Sequence, residues 1–337
     1  MTRRTFSMSA GAMLIGAAHG GTQQARSREI TLVLAPSNLG LRPEGDHDPG
    51  TWRAPQVLMG AGLAGALQTQ DVIELRRPTY ERAAQPGTRI RNGNTIRDFS
   101  LRLAEAVRGG LQRNRFPVVI GGDCSILLGG LYAARLAGGR GLVHLDGHSD
   151  FSHPGNYDTK KVLGSVAGMD LALASGRGES LLTEWPQVGK PLAADADIVQ
   201  VGERNTTDPS YKNYYADILQ TAITMVTVQR ALEEGIDAAA HRVIARLEER
   251  KLDKVWLHVD LDVLDEAVMP AVDSPGRPGL DYAQLSALIA ALCASGRIVG
   301  ANFAIYDPDR DRDLRYARPL VECIAAGVRG LEQAQRS

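Results

Sequence analysis

Two stretches decide the reading of this chain: GLVHLDGHSD at residues 141–150 and KVWLHVDLDVLD at residues 254–265. Each opens as a short apolar run and closes in carboxylates, with His148 among them in the first. Side chains two apart on a strand project to the same face, so Asp146, His148 and Asp150 converge, as do Asp260 and Asp262. A third apolar run, FPVVIGGDCS at residues 116–125, closes in Asp123 and Cys124. Ligands of open α/β sheets bind beyond the carboxyl ends of the strands, so polar residues that close three buried strands mark one crevice.

Outward from these motifs, further β-branched runs begin at Glu29, Asp71, Asp197, Thr224 and Arg297, which makes eight candidate strands. Between them lie stretches whose apolar residues recur at three- and four-residue steps, such as TIRDFSLRLAEAVRGGLQRN, SILLGGLYAARLAG, AAAHRVIARLEERK and YAQLSALIAALCASG. That alternation predicts a largely parallel eight-stranded sheet covered by helices on both faces. Residues 42–55 and 151–163 are rich in Gly, Pro, Asp, Asn and His without either periodicity and read as loops. No repeat and no linker divides the body, so one domain is expected over residues 29–337. Residues 1–28 carry Arg3 and Arg4 ahead of a short, weakly apolar run, the order of a twin-arginine leader that would send a folded, metal-loaded chain to the periplasm; a chance arginine pair on a cytoplasmic chain is the alternative.

The formal net charge is -1, from 38 basic and 39 acidic residues. Nothing therefore draws the whole molecule to nucleic acid or an anionic membrane, and no other stretch reaches the roughly 18 apolar residues that a span needs. Cys293 and Cys323 lie in apolar helical contexts and read as inert buried thiols. The charge that matters is local. Four or more carboxylates crowded behind apolar strands, with no Lys or Arg in either motif, are costly unless cations neutralise them. Taken alone, a DxD is more often a turn or a helix cap; two such motifs, each after a buried strand, point to one or two divalent cations on Asp146, His148, Asp150, Asp260 and Asp262. An oxygen-rich donor set with one imidazole suits a hard or borderline ion such as Mn(2+).

The order GGDCS, DGHSD and HVDLDVLD resembles the ureohydrolases, the arginase and agmatinase family, whose motifs read GGDHS, DAHxD and SxDxDxxDP. The resemblance implies a three-layer α/β/α fold and a binuclear manganese centre whose bridging hydroxide attacks a guanidinium carbon. It implies that Asp146 and Asp260 bridge both metals, that His148 and Asp262 complete the second site, and that Asp150 and Cys124 complete the first. Asp123 is then a supporting group behind the ligands. The substrate implied is a small guanidino or amidino compound, cleaved at a linear C–N bond. The family also implies a homo-oligomer, which no residue here fixes.

The departures shape the expectation as much as the matches. Cys124 stands where the motif has histidine, and a thiolate favours Zn, Fe or Co over Mn. Ala167, in GSVAGMDL, stands where a GNLHG-like motif has a proton-relaying histidine; His153 is the candidate replacement. Ile305 or Tyr306 replaces a guanidinium-holding glutamate, with Asp307 the nearest carboxylate. Arg204 and Arg277 are candidates for substrate contact, and Lys160 and Lys161 sit in the loop after DGHSD, where an acidic substrate would meet them. Two other functions fit the same residues: a mononuclear deacetylase-like amidohydrolase, since only the first site loses its histidine, and a non-catalytic metal-binding or ligand-sensing protein.

Overall fold

The computed structural model describes residues 28–209 and 212–332; all but the last residue of the expected leader lies outside the described residues. Eight strands form where the apolar runs predict them: β1 Ile30–Ala35, β2 Val72–Glu74, β3 Phe116–Gly121, β4 Gly141–Leu145, β5 Ile198–Val201, β6 Thr224–Val226, β7 Val255–Asp260 and β8 Ile298–Ala304. They make one sheet in the order β2-β1-β3-β8-β7-β4-β5-β6, and every pair is parallel. The chain thus goes beyond the expectation of a largely parallel sheet. The central strands β3, β4, β5, β7 and β8 are buried along their whole length, because both faces are covered and the sequence supplies near-continuous apolar runs rather than alternation.

Five longer helices supply most of the cover: α1 Gly93–Gln112, α2 Ile126–Leu136, α3 Ile236–Glu249, α4 Tyr282–Ala294 and α5 Ala317–Val328. On α1 the buried side chains Ile96, Phe99, Leu103 and Val107 recur at the helical step read from the sequence. A capping box opens α4, with Asp281 accepting from the Gln284 N–H and the Gln284 side chain accepting in return, which sets where that helix begins. α4 packs between α3 and α5. α2 lies on the opposite face, where Gly130 is obligatory: a Cβ there would stand 2.4 Å from the Trp256 ring. The reading of residues 42–55 as loop is corrected at its end, where Gly50–Arg53 form a 3-10 turn that runs into a helix at Ala54. That turn carries no periodicity to detect. Because all strands run one way, the carboxyl ends of β3, β8, β7 and β4, neighbours in the sheet, open onto a single edge.

Candidate metal centre

A polar rung crosses the sheet one step below that edge. Gln200 on β5, His144 on β4, His258 on β7 and Asn302 on β8 are register partners, and all four are completely buried. The alternation that aims Asp146 and Asp260 into the crevice places His144 and His258 two residues earlier on the same face, and their rings stack at 4.8 Å. Gln200 Nε2 donates to the carbonyls of Asp146 and His148 at 3.1 and 3.0 Å, which ties the DGHSD turn to β5. The rung also fixes a tautomer. Trp256 Nε1 can only donate, and does so to Asn302 Oδ1 at 2.7 Å; the Asn302 amide nitrogen therefore donates to His258 Nδ1 at 2.6 Å. Neutral His258 then carries its proton on Nε2, which faces Asp170 Oδ2 at 3.5 Å.

Above the rung the strand ends bring the six sequence-derived ligands into one cluster. His148 Nδ1 lies 2.8 Å from Asp262 Oδ2 and 3.6 Å from Asp146 Oδ1. Asp146 accepts from the His148 N–H at 2.6 Å, and Asp260 accepts from the Asp262 N–H at 2.7 Å, so each motif folds back on its own first carboxylate. Cys124 Sγ donates to Asp260 Oδ2 at 2.7 Å. Donor atoms of Asp146, His148 and Asp262 lie within 4.8 Å of one another, and so do those of Cys124, Asp150 and Asp170. Asp123 stands apart, accepting from Ser37 Oγ, Gly40 N and Ser125 N at 2.5, 2.9 and 3.0 Å, a fixed support for the turn that carries Cys124.

The charges are poorly balanced without cations. Asp146, Asp150, Asp170, Asp260 and Asp262 are all buried, and the guanidinium that meets them is that of Arg204, against the carbonyl and carboxylate of Asp262. Burial, with Asp262 nearby, pushes Asp146 up to about 7, and burial lifts Asp150 and Asp260 well above the carboxylate range. Burial also raises the Cys124 thiol, with Asp260 adding to it. His148 goes up despite its burial because Asp262 and Asp146 face it, and His148 together with Arg204 holds Asp262 far below the usual range against its own burial. Asp146 Oδ2 is buried without a hydrogen-bond partner. A site that keeps protons only because its charges lack counter-ions, and leaves a carboxylate oxygen unpaired, fits divalent cations.

This predicts an unusual pH dependence for the metal-free protein. Asp146 and Asp170, each raised to about 7, bind more protons folded than unfolded as pH rises from the ordinary carboxylate range, so stability falls over that window. His148, raised well above the ordinary histidine value of 6.5, adds stability below that pH that is lost as pH rises through its folded value. His258, lowered to about 4 by burial, and His144, lowered by burial too, act oppositely, but that effect is half spent at about pH 6.5, the unfolded histidine value, and fades within about one pH unit above it. Thermal melts of chelator-treated protein are expected to fall between about pH 6.5 and 8, and those of metal-loaded protein to rise, since cations there displace protons. A metal-free protein that gained stability over this range would contradict the assignment.

The other sequence-derived residues lie at varied distances from this centre. A cavity of about 560 Å³ opens onto it, floored by His148, Asp150, Asp260 and Asp262 and walled by Leu41, Val162, Ala167, Met169 and Ile305. His153 faces Asp217 at 3.3 Å and stacks edge-on to Phe151; it is not among the residues lining the cavity. Asp307 accepts from the Gly50 and Asp309 N–H groups and lines a separate pocket of about 140 Å³. Arg277 is exposed and pairs with Glu266 at 2.6 Å, while Arg204 lies beneath the ligands rather than on the cavity wall. The Arg204 side chain crosses the backbone of Gly147, where a Cβ would stand 1.5 Å from Nη2, so any larger residue in DGHSD would have to displace that guanidinium. Sequence reasoning missed His144, His258 and Asp170. The first two were visible as one further step of the strand alternation; Asp170 carried no local signal.

Comparison with known proteins matches these features. Residues 28–326 match the model of the Arginase family. The arginase of Bacillus caldovelox is 30% identical over 308 residues, covering 89% of this chain and 97% of that protein. Its native crystal structure superposes with a TM-score of 0.75 at 28% identity, and the arginase of Bacillus cereus with a TM-score of 0.75 at 25% identity; each comparison covers 89% of this chain and 98% of the other. Among the described residues no helix is long and apolar enough to cross a membrane. With its all-parallel sheet, its buried carboxylate cluster and this similarity along nearly the whole chain, the protein belongs to the arginase family, whose members are hydrolases of C–N bonds in linear amidines.

Proposed function

We propose that the chain hydrolyses a small guanidino or amidino compound at a centre of two divalent cations, with Asp146, His148, Asp260 and Asp262 holding one and Asp146, Asp150, Asp260 and Cys124 the other. The observation that carries this is the cluster itself: five buried carboxylates met, among the described residues, by a single guanidinium, with three of them, Asp150, Asp260 and Asp262, at the floor of an open cavity. Bound there, the cations would supply a water-derived nucleophile at neutral pH, and Mn(2+) suits the oxygen-rich second site. Thiophilic Zn, Fe or Co suits the site that contains Cys124. The protein's own part is to hold the electrophilic carbon over that floor. Apolar walls accept an aliphatic chain, and Asp273, half-buried and lining the cavity, is the carboxylate placed to bind the amidinium end.

Asp273→Asn is accordingly expected to raise KM about tenfold or more, the loss of roughly one charged hydrogen bond of 1.5 kcal/mol, with a smaller change in kcat. Steady-state kinetics on the best substrate found check this, and an unchanged KM would remove Asp273 from the account. The reaction is tested by assaying metal-loaded protein against a panel of guanidines, amidines and acyl amines. Turnover of guanidino or amidino members supports the proposal, and no turnover of any member would favour a non-catalytic metal-binding protein. One observation favours a second reading, a mononuclear amidohydrolase: a thiol, that of Cys124, stands where the family's first motif has histidine, and it lies 2.7 Å from Asp260, which is in both donor sets. The Arg3–Arg4 leader supports export of the folded chain, tested by whether Arg3→Lys with Arg4→Lys abolishes periplasmic recovery.

A further inference from the structure

Asp170 is buried completely at the start of a short helix, Asp170–Ala174, in the crossover between β4 and β5. It does not belong to either carboxylate motif, yet the fold lowers it onto the polar rung. Its Oδ1 lies 3.2 Å from His144 Nε2 and its Oδ2 3.5 Å from His258 Nε2. The Trp256–Asn302–His258 chain makes that second nitrogen an N–H, so at least one imidazole donor is aimed at the carboxylate from below. Among the described residues no Lys or Arg is paired with it, and Oδ2 is buried without a hydrogen bond. A carboxylate oxygen of Asp170, Cys124 Sγ and an oxygen of Asp150 lie within 4.8 Å of one another. Ligands at bonds of about 2.0 to 2.3 Å occupy about this span around one ion.

A carboxylate with an unused oxygen, hydrogen-bonded by His144 Nε2, close to His258 Nε2 and clustered with a thiol and a second carboxylate, has the surroundings of a metal ligand rather than of a structural ion pair. His144 Nδ1 is also buried without a partner, which costs least when the ring proton sits on Nε2 and points at Asp170. We propose that Asp170 is a further ligand of the first cation, added to Cys124 and Asp150 and to the shared carboxylates that the motifs supply. This inference rests on the two-cation reading above. It gives the first site a thiolate and an extra carboxylate, so the two positions differ in chemistry and take up ions in separable steps.

The test is a Co(2+) titration of the full-length, chelator-treated chain, followed both by bound cobalt and by the near-ultraviolet charge-transfer band of a cobalt–thiolate bond. The expected result is two Co(2+) per chain, with the band developing in one step. Asp170→Asn is expected to weaken the band-bearing step at least about tenfold while leaving the other step in place, which also shows that the variant is folded. Should the Asn variant fail to fold, Asp170→Glu asks the same question, since the band shifts if residue 170 ligates and stays if it does not. Wild-type behaviour of the variant at both steps would overturn the role of Asp170 and leave the two-cation reading standing. Two Co(2+) without any thiolate band would overturn it as well, because Cys124 would then not share the site. Absence of all Co(2+) binding would sink the two-cation reading itself.

Discussion

Asp262→Ala is expected to leave at most one cation per chain and to lower turnover of the best substrate by more than about 100-fold, the upper range seen when groups merely supporting a ligand are lost. Asp262 joins three structural elements at once. Its Oδ2 sits 2.8 Å from His148 Nδ1, its Oδ1 accepts from the Gly147 N–H at 3.0 Å, and the Arg204 guanidinium lies against it. Truncation removes a ligand and also frees the imidazole that it aims. Elemental analysis and kinetics on the purified variant check both parts, with Asp262→Asn separating loss of charge from loss of shape. Wild-type metal content in Asp262→Ala would contradict the placement.

The second large effect falls on stability. Arg204→Ala is expected to cost about 3 to 5 kcal/mol in urea unfolding of the metal-free protein, the penalty for leaving a buried carboxylate without its partner. Arg204 is 5% exposed, donates to the carbonyls of Gly147 and Asp262, and lies across Gly147, where a side chain would displace it. Lysine cannot reproduce this, because the contacts come from a planar fork rather than a point charge, so Arg204→Lys is expected to recover only part of the loss. Adding metal to Arg204→Ala returns some stability, since a cation replaces the missing positive charge. A change within about 0.5 kcal/mol, ordinary for a surface substitution, would show that Arg204 has no such role.

These residues also show what could be read from the chain alone. The eight strands were legible because a sheet buried on both faces needs continuous apolar runs, and the clustered carboxylates after β4 and β7 were singled out as ligand candidates because they follow such runs at two-residue spacing. His144 and His258 obey the same spacing, but a histidine inside an apolar strand does not reveal whether it meets a ligand or a neighbour until the register of β4 with β7 and β8 is known. Asp170 comes from a crossover and enters the cluster through tertiary packing, which no periodicity encodes. Arg204 and Asp307 were visible as charged residues after strands; that one lies under Asp262 and the other caps a turn beside Gly50 depends on loop paths with no signature in composition. The glycine of DGHSD is the converse case, a residue whose lack of a side chain gains a meaning only once the Arg204 guanidinium is seen to cross it.

The claim on which the account rests is that this carboxylate cluster holds two divalent cations. It is tested most directly by metal content per chain, measured by elemental analysis on protein purified without chelators and after loading with Mn(2+), Zn(2+) or Co(2+). The account predicts two ions per chain in the native protein, and no more than one in Asp262→Ala. One ion in the native protein, rising to two in Cys124→His, would establish the mononuclear reading instead, and no ion under any loading condition would contradict the account outright.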